Sequence, residues 1–222
     1  ATVGCYGAAL NFGGIMFTLF TALNNSWCPF FFEDMKQGNR ENLREKAGNF
    51  LELFTVLSVG FVLLASEVYR YVYVSRDFWG STMLIPIFVS SYYTNFLCTF
   101  PVNFEYYHKK TKVVSIITIV SSLINVGLNY LLILRIGMAG AAVATLISHS
   151  LQLTLHYLYV RFALGGKEYP FPLKMWVGYA AVFAAVAVAS VAADGLWLAR
   201  WGLGAAVGLW ELLRIRKRKV LI

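Results

Sequence analysis

Seven long apolar stretches follow one another through the chain, and they constrain its fold more than any motif does. They are Val3–Phe32, Phe50–Ser66, Phe78–Phe100, Val113–Leu134, Met138–Phe162, Met175–Ala192 and Leu196–Leu213. A helix needs about 20 mostly apolar residues to cross the hydrocarbon core of a bilayer, and open strand edges would leave backbone groups unpaired in lipid. The sequence therefore predicts an all-α, polytopic integral membrane helix bundle of about seven transmembrane helices. The last is the weakest, because Arg200 and Glu211 lie near its ends and must reach toward the headgroups.

The basic residues fall almost entirely in every second gap between these stretches. Fifteen of the 19 Lys and Arg residues follow the first, third, fifth and seventh stretches, ending in the tail Arg214–Lys219. The opposite side holds Arg70, Arg76, Arg135 and Arg200. Because cytoplasmic loops carry the Lys and Arg excess, we expect the first residue outside and the tail in the cytoplasm. The net charge of +8 is then a sign of topology, and no nucleic-acid partner is expected.

The sequence lacks the residue patterns on which common enzyme chemistry depends. There is no phosphate-binding glycine loop with a lysine and no His-Glu-x-x-His motif. Cys5, Cys28 and Cys98 lack the spacing of metal ligands. The carboxylates noted in the apolar stretches, Glu52, Glu67 and Glu211, lie near their ends. We therefore expect no enzyme, no cofactor and no metal.

Uncharged polar residues lie deep in four of the stretches. They line a water-filled cavity or join packed helices, since an amide facing lipid is costly. The candidate cavity-lining residues are Asn11, Asn24, Asn25, Tyr92, Asn95, Asn125 and Asn129. His149, Gln152 and His156 share one helical face of the fifth stretch and form either a proton relay or interhelical hydrogen bonds.

Small residues and helix breakers predict how the helices are arranged. Gly137, Gly140, Ala144 and Ser148 form a smooth stripe for close helix packing. The short link Leu134–Met138 predicts that the fourth and fifth helices pair as an antiparallel hairpin, and Pro86 predicts a kink inside the third. Gly165-Gly166, followed by Pro170 and Pro172, divides the chain into a five-helix portion, residues 1–163, and a final helix pair with its basic tail, residues 164–222.

Four segments of the chain resemble one family of membrane transporters. They are Val3-Gly-Cys-Tyr-Gly-Ala-Ala, Trp27-Cys-Pro29, Ile124-Asn-Val-Gly-Leu-Asn-Tyr-Leu-Leu-Ile and Gly137-Met-Ala-Gly-Ala-Ala-Val-Ala-Thr-Leu-Ile-Ser. In order and spacing they resemble the C-terminal half of the bacterial polysaccharide flippases, which carry O-antigen and capsule units. These flippases belong to the multidrug/oligosaccharidyl-lipid/polysaccharide exporter superfamily.

The resemblance implies the last seven helices of a fourteen-helix, two-lobed, MATE-like transporter, so that the chain is expected to be a fragment. It implies alternating access, with an undecaprenyl-diphosphate-linked oligosaccharide moved outward across the bacterial inner membrane. The implied partners are this lipid-linked cargo, membrane lipids, the N-terminal lobe and other polysaccharide-assembly proteins. Family cavities are commonly cationic, but the cavity candidates in the first span are amides. Either the N-terminal lobe supplies the cations, or the amides bind sugar directly.

Each of three alternative functions needs residues that the apolar stretches do not show. A drug/cation antiporter of the same superfamily needs an ion-coupling carboxylate at depth, and the apolar stretches show none. A seven-helix receptor or retinal protein shares the predicted orientation, but Leu196–Leu213 holds no lysine for a Schiff base. An intramembrane enzyme needs a Ser/His or paired-Asp arrangement that the spans lack.

Overall fold

The computed structural model describes residues 2–73, 75–165, 168–192 and 195–218, with side chains except at residues 2, 211, 212 and 214–218. These ranges form seven α-helices and no strand, which confirms the predicted all-α membrane bundle. The helices are α1 Thr2–Gln37, α2 Arg40–Val72, α3 Ile85–Tyr107, α4 Thr111–Ile136, α5 Met138–Phe162, α6 Leu173–Ala192 and α7 Trp197–Arg218, with a 3-10 helix over Arg76–Leu84. The predicted features at Gly166, Lys167, Glu211 and the tail Arg214–Lys219 lie outside the described residues or their described side chains.

Six of the helical segments in the described part of the chain are long and apolar enough to cross a membrane. They comprise α1, α2, α4, α5, α6 and the continuous stretch Arg76–Tyr107 that contains the 3-10 helix and α3. The helix α7 does not reach that apolarity, in line with its ranking as the weakest of the predicted spans. The confirmed fold thus has six candidate spans and a seventh helix packed against α2.

The prediction of a kink at Pro86 is wrong. Pro86 lies in the first turn of α3, which begins at Ile85. A proline is tolerated there, because the missing N–H would have had no intrahelical partner. The type of helix instead changes just before the proline, because Arg76–Leu84 forms a 3-10 helix and the α-helix begins at Ile85. The prolines inside helices are Pro29 in α1 and Pro101 in α3.

Aromatic side chains fill the centre of the bundle, where α1, α2, α3 and α6 meet. The ring of Phe96 lies 4.2 Å from that of Phe54, and Tyr93 stacks on Phe183 at 4.3 Å. Phe54 and Phe96 are completely buried. This core fixes α3 at the middle of the molecule, with α5 on its other side and α4 beyond α5.

The helices α4 and α5 form the predicted antiparallel hairpin and contact each other more extensively than any other pair. Gly137 makes the turn with φ +61°, a backbone conformation that glycine adopts without strain. Gly140 then lies directly against the backbone of α4, since a Cβ there would overlap the carbonyl group of Leu132. Small residues let the two backbones approach this closely.

Arg200 does not reach toward the headgroups as predicted. Its side chain is buried, with 3% of the residue exposed. The guanidinium donates to Glu67 Oε1 at 3.2 Å and to the carbonyl oxygen of Leu63 at 2.9 Å. Both acceptors belong to α2, so the arginine fastens α7 to α2. Pairing satisfies a charge that would otherwise be costly to bury.

Candidate functional site

One face of α1 carries polar side chains that the rest of the bundle leaves uncovered. Asn11, Thr18 and Asn25 are all exposed and are spaced seven residues apart. Seven residues are nearly two full turns, so the three share one side of the helix. The stripe is about 21 Å long at 1.5 Å per residue, which is most of the thickness of a bilayer core. Asn24 is half-buried instead, with its Oδ1 atom buried.

The same face borders a cavity between α1 and α3 with a volume of about 490 Å³. Its lining comprises Leu10, Asn11, Gly14, Ile15, Phe17, Thr18 and Tyr92. Two of the candidate cavity residues, Asn11 and Tyr92, are therefore brought together. Asn95 is half-buried on α3 and, like Asn25, does not line this volume. The cavity offers an amide, a hydroxyl and a phenol among apolar walls, which suits hydrogen bonding to an uncharged polar group.

Asn125 and Asn129 lie instead in the contact between α4 and α5. Asn125 Nδ2 donates to Ser148 Oγ at 3.1 Å, and Asn129 Nδ2 donates to Asn125 Oδ1 at 2.9 Å. Ser148 belongs to the small-residue stripe, and it and Ala144 are buried. The two amides thus hydrogen-bond within the hairpin, on the far side of α5 from the cavity.

His149, Gln152 and His156 have three separate sets of partners. His149 Nδ1 lies 3.0 Å from the carbonyl oxygen of Ser91 on α3. Gln152 Nε2 donates to Thr118 Oγ1 on α4 at 3.4 Å. Among the described contacts no hydrogen bond joins any two of the three, so the shared helical face serves contacts to both neighbouring helices.

His156 pairs with a carboxylate that the sequence reasoning missed. Its Nδ1 atom lies 2.9 Å and 3.0 Å from the two carboxylate oxygens of Glu105 on α3, and both side chains are 0% exposed. The predicted third apolar stretch ends at Phe100, which places Glu105 in the basic loop that follows. The signal for a longer helix was the aromatic pair Phe100 and Phe104, which continues the buried face by one turn.

A second and larger groove, about 810 Å³ in volume, lies between α2, α6 and α7. Most of its walls are apolar, with Arg44, Lys174 and the buried Glu52 among the residues that line it. Arg44 Nε also donates to the carbonyl oxygen of Pro170 at 2.6 Å. Glu52, expected near the headgroups, is only 5% exposed.

No group of three His, Cys, Asp or Glu side chains that could hold a metal ion occurs in the described part of the chain. Its three cysteines are free thiols.

Comparison with known proteins supports a membrane location. A protein of Haemophilus influenzae, described as an uncharacterized membrane protein, is 27% identical to the chain over 128 residues. The match covers 57% of the chain and 32% of the relative, so the chain spans about a third of that protein's length. No protein-family profile and no solved structure matches the chain. The chain is thus a membrane protein with several helices able to cross the bilayer.

Proposed function

We propose that the chain is one lobe of a flippase that moves an undecaprenyl-diphosphate-linked oligosaccharide outward across the inner membrane by alternating access. The observation that carries the proposal is the exposed polar stripe of Asn11, Thr18 and Asn25 on α1. Exposed amides at membrane depth are costly against lipid. A water-filled path for a polar cargo removes that cost. The first residue then lies outside and the basic tail in the cytoplasm.

The exposed face of α4 makes a contrast that supports this assignment. Only 6% of the most apolar part of this helix is buried. Its large exposed side chains include Ile116, Ile119, Leu123 and Val126. Its exposed hydroxyls donate to the helix itself, as Ser122 does to the carbonyl oxygen of Thr118 and as Thr18 of α1 does to that of Gly14, so the contrast lies in the amides. Such a face suits lipid, whereas the amides of α1 suit a cavity between two lobes.

Amide groups favour sugar over diphosphate as the part of the cargo that this lobe contacts. Asn11 and Asn25 each offer one acceptor and two N–H donors, which match the donor and acceptor pattern of sugar hydroxyls. Among the residues that the structure describes, no Lys or Arg lines the cavity beside Asn11. The cations that receive the diphosphate then belong to the N-terminal lobe, and a relative about three times as long as the matched segment has room for one.

Replacing the amides by leucine in the full-length protein tests the proposal. At about 1 kcal/mol for each lost hydrogen bond, Asn11→Leu combined with Asn25→Leu weakens cargo binding by about 2 kcal/mol, roughly 30-fold. Surface polysaccharide should fall, and the lipid-linked oligosaccharide should accumulate in the cell. Ser122→Leu, an equally exposed polar-to-apolar change on α4, should leave export unchanged. Normal export by the double variant at normal protein levels would contradict the cavity role.

A drug/cation antiporter of the same superfamily is the second candidate, because Glu105 supplies the buried carboxylate that the apolar stretches had lacked. Deleting the gene separates the two functions. Loss of surface glycan with unchanged drug resistance supports the flippase, whereas increased drug sensitivity with normal glycan supports the antiporter.

A further inference from the structure

The contact between Glu105 and His156 joins α3 to α5 inside the bundle. Neither side chain has any exposed surface, and the imidazole Nδ1 contacts both carboxylate oxygens. Among the described residues, no Lys or Arg forms an ion pair with Glu105. With a neutral imidazole, the pair carries a net charge of −1 in a medium of low dielectric constant, which is costly.

Three polar atoms near this pair are buried without a hydrogen-bond partner among the described residues: His156 Nε2, His108 Nε2 and Tyr169 Oη. The ring of His108 lies 4.5 Å from that of Phe104, and the ring of Tyr169 lies 5.1 Å from the same phenylalanine. Phe104 precedes Glu105 in the chain. Buried polar atoms are nearly always hydrogen-bonded, so the Nε2 atom of His156 is an open position that can accept a proton or a hydrogen bond from water.

The surroundings place this cluster next to the end of the membrane-spanning segments. The helix α3 ends at Tyr107, two residues after Glu105, and Lys109 and Lys110 follow. Under the charge-based orientation this end faces the cytoplasm. His108 follows Glu105 by three residues and thus lies on the same side of the helix end. A covering segment, residues 168–172, holds Tyr169 and Phe171, which are both buried and pack on Phe104 and Phe100 of α3.

The other titratable groups around the pair are the imidazole of His108 and several tyrosine and cysteine side chains. These tyrosines and cysteines are Cys98 on α3, Tyr157 on α5 and Tyr169 on the covering segment, with Cys28 of α1 donating to Asn103 at 3.9 Å. Burial, and to a lesser extent the charges of Tyr157, Cys98 and Glu105, raise the pKa of Tyr169 well above its ordinary 10.0. Neither the tyrosines nor the cysteines supply a positive charge to Glu105.

We propose that Glu105 and His156 form a proton-binding site that the cytoplasm reaches past His108 and Tyr169. The Nδ1–H of His156 donates to the carboxylate, which leaves the Nε2 lone pair as the open basic position. A proton from water binds Nε2, and the net charge of the pair changes from −1 to 0. Proton binding therefore stabilises the dry, covered arrangement, and release needs the covering segment to open so that water reaches the pair.

Titration of the histidine nitrogens by NMR tests the site in the full-length protein in lipid nanodiscs. The ¹⁵N shifts of His156, assigned by their loss in His156→Gln, should report uptake of one proton as the pH of the sample is lowered. If the glutamine variant does not fold, His156→Asn keeps an N–H donor for the carboxylate and gives the same assignment. His149, which contacts a backbone carbonyl group, is the internal control.

A permanent structural ion pair predicts a different result from a proton-binding site. In Glu105→Gln the midpoint of the His156 titration should move by about one pH unit or more, because an opposite charge at this distance has been removed. The His149 signals should not move. The proposal is overturned if the His156 signals do not change across the pH range, or if Glu105→Gln leaves their midpoint in place. Neither result depends on the cargo, so a failure of the flippase proposal remains distinguishable.

Discussion

Gly140 allows the sharpest prediction about the energetics of the bundle. Adding a methyl group in Gly140→Ala would bring the new Cβ within 2.8 Å of the Ile133 nitrogen and closer still to the Leu132 carbonyl group. Ordinary contacts begin at 3.4 Å, so α4 and α5 must separate by about 0.6 Å or more, and a helix backbone cannot rotate away as a side chain can. Forcing an extra carbon into a packed interface costs about 1 to 3 kcal/mol.

Gly127→Ala on α4 is the matched control, because no atom lies within 4 Å of its added Cβ. Both substitutions replace a helical glycine, and the intrinsic preference for alanine, about 1 kcal/mol, largely cancels between them. The free energy of unfolding of the full-length protein, measured in mixed detergent micelles, should be lower for Gly140→Ala by about 1 to 3 kcal/mol. Equal stability of the two variants would refute the close approach of α4 and α5 at Gly140.

Two further predictions concern the last helices and the covering segment. Arg200→Met keeps the apolar length of the side chain but leaves Glu67 without its partner, so the free energy of unfolding in micelles should fall by about 3 kcal/mol. The control, Arg135→Met at an exposed position, should change this free energy little. Equal losses in the two variants would show that Arg200 does not hold α7 against α2. The pKa of Tyr169 is raised in the folded protein, so above pH 10 its phenol ionises in the unfolded chain first. The free energy of unfolding then falls by up to about 1.4 kcal/mol per pH unit. Tyr169→Phe should lose stability less steeply than the wild type above pH 10, and parallel pH profiles would show that Tyr169 is not buried.

The sequence predicted the membrane bundle well because hydropathy reports the surroundings of whole helices. Apolar segments of about 20 residues must be helical in lipid, whichever neighbours they pack against. Helix ends are set by finer effects. Pro86 fits a first turn as well as a kink, and the choice depends on whether the preceding residues are α-helical, which hydropathy does not report.

The paired site was harder to predict because a carboxylate makes a segment look like a loop. Because Glu105 is acidic, the predicted third span ends before it. An acid and an imidazole in contact can nevertheless be buried together at a much lower cost than either alone. The partner of Glu105 is 51 residues further along the chain, so no local pattern identifies it. Arg200 was misplaced for the same reason, since its acceptors Glu67 and Leu63 lie on a distant helix.

The central position of α3 connects the two sites that we propose. Tyr92 on this helix borders the α1–α3 cavity, and the preceding residue, Ser91, contacts His149 on α5. Glu105 lies 13 residues beyond Tyr92 on the same helix, about 20 Å away at 1.5 Å per residue. The proposed cargo site and the proposed proton site are therefore not in contact. Because α3 carries residues of both proposed sites and packs against α5, a movement of α3 against α5 is a direct route for coupling between them. The Glu105–His156 pair spans that contact, and in the proposed transporter a proton bound there would act on the helix whose Tyr92 lines the cavity.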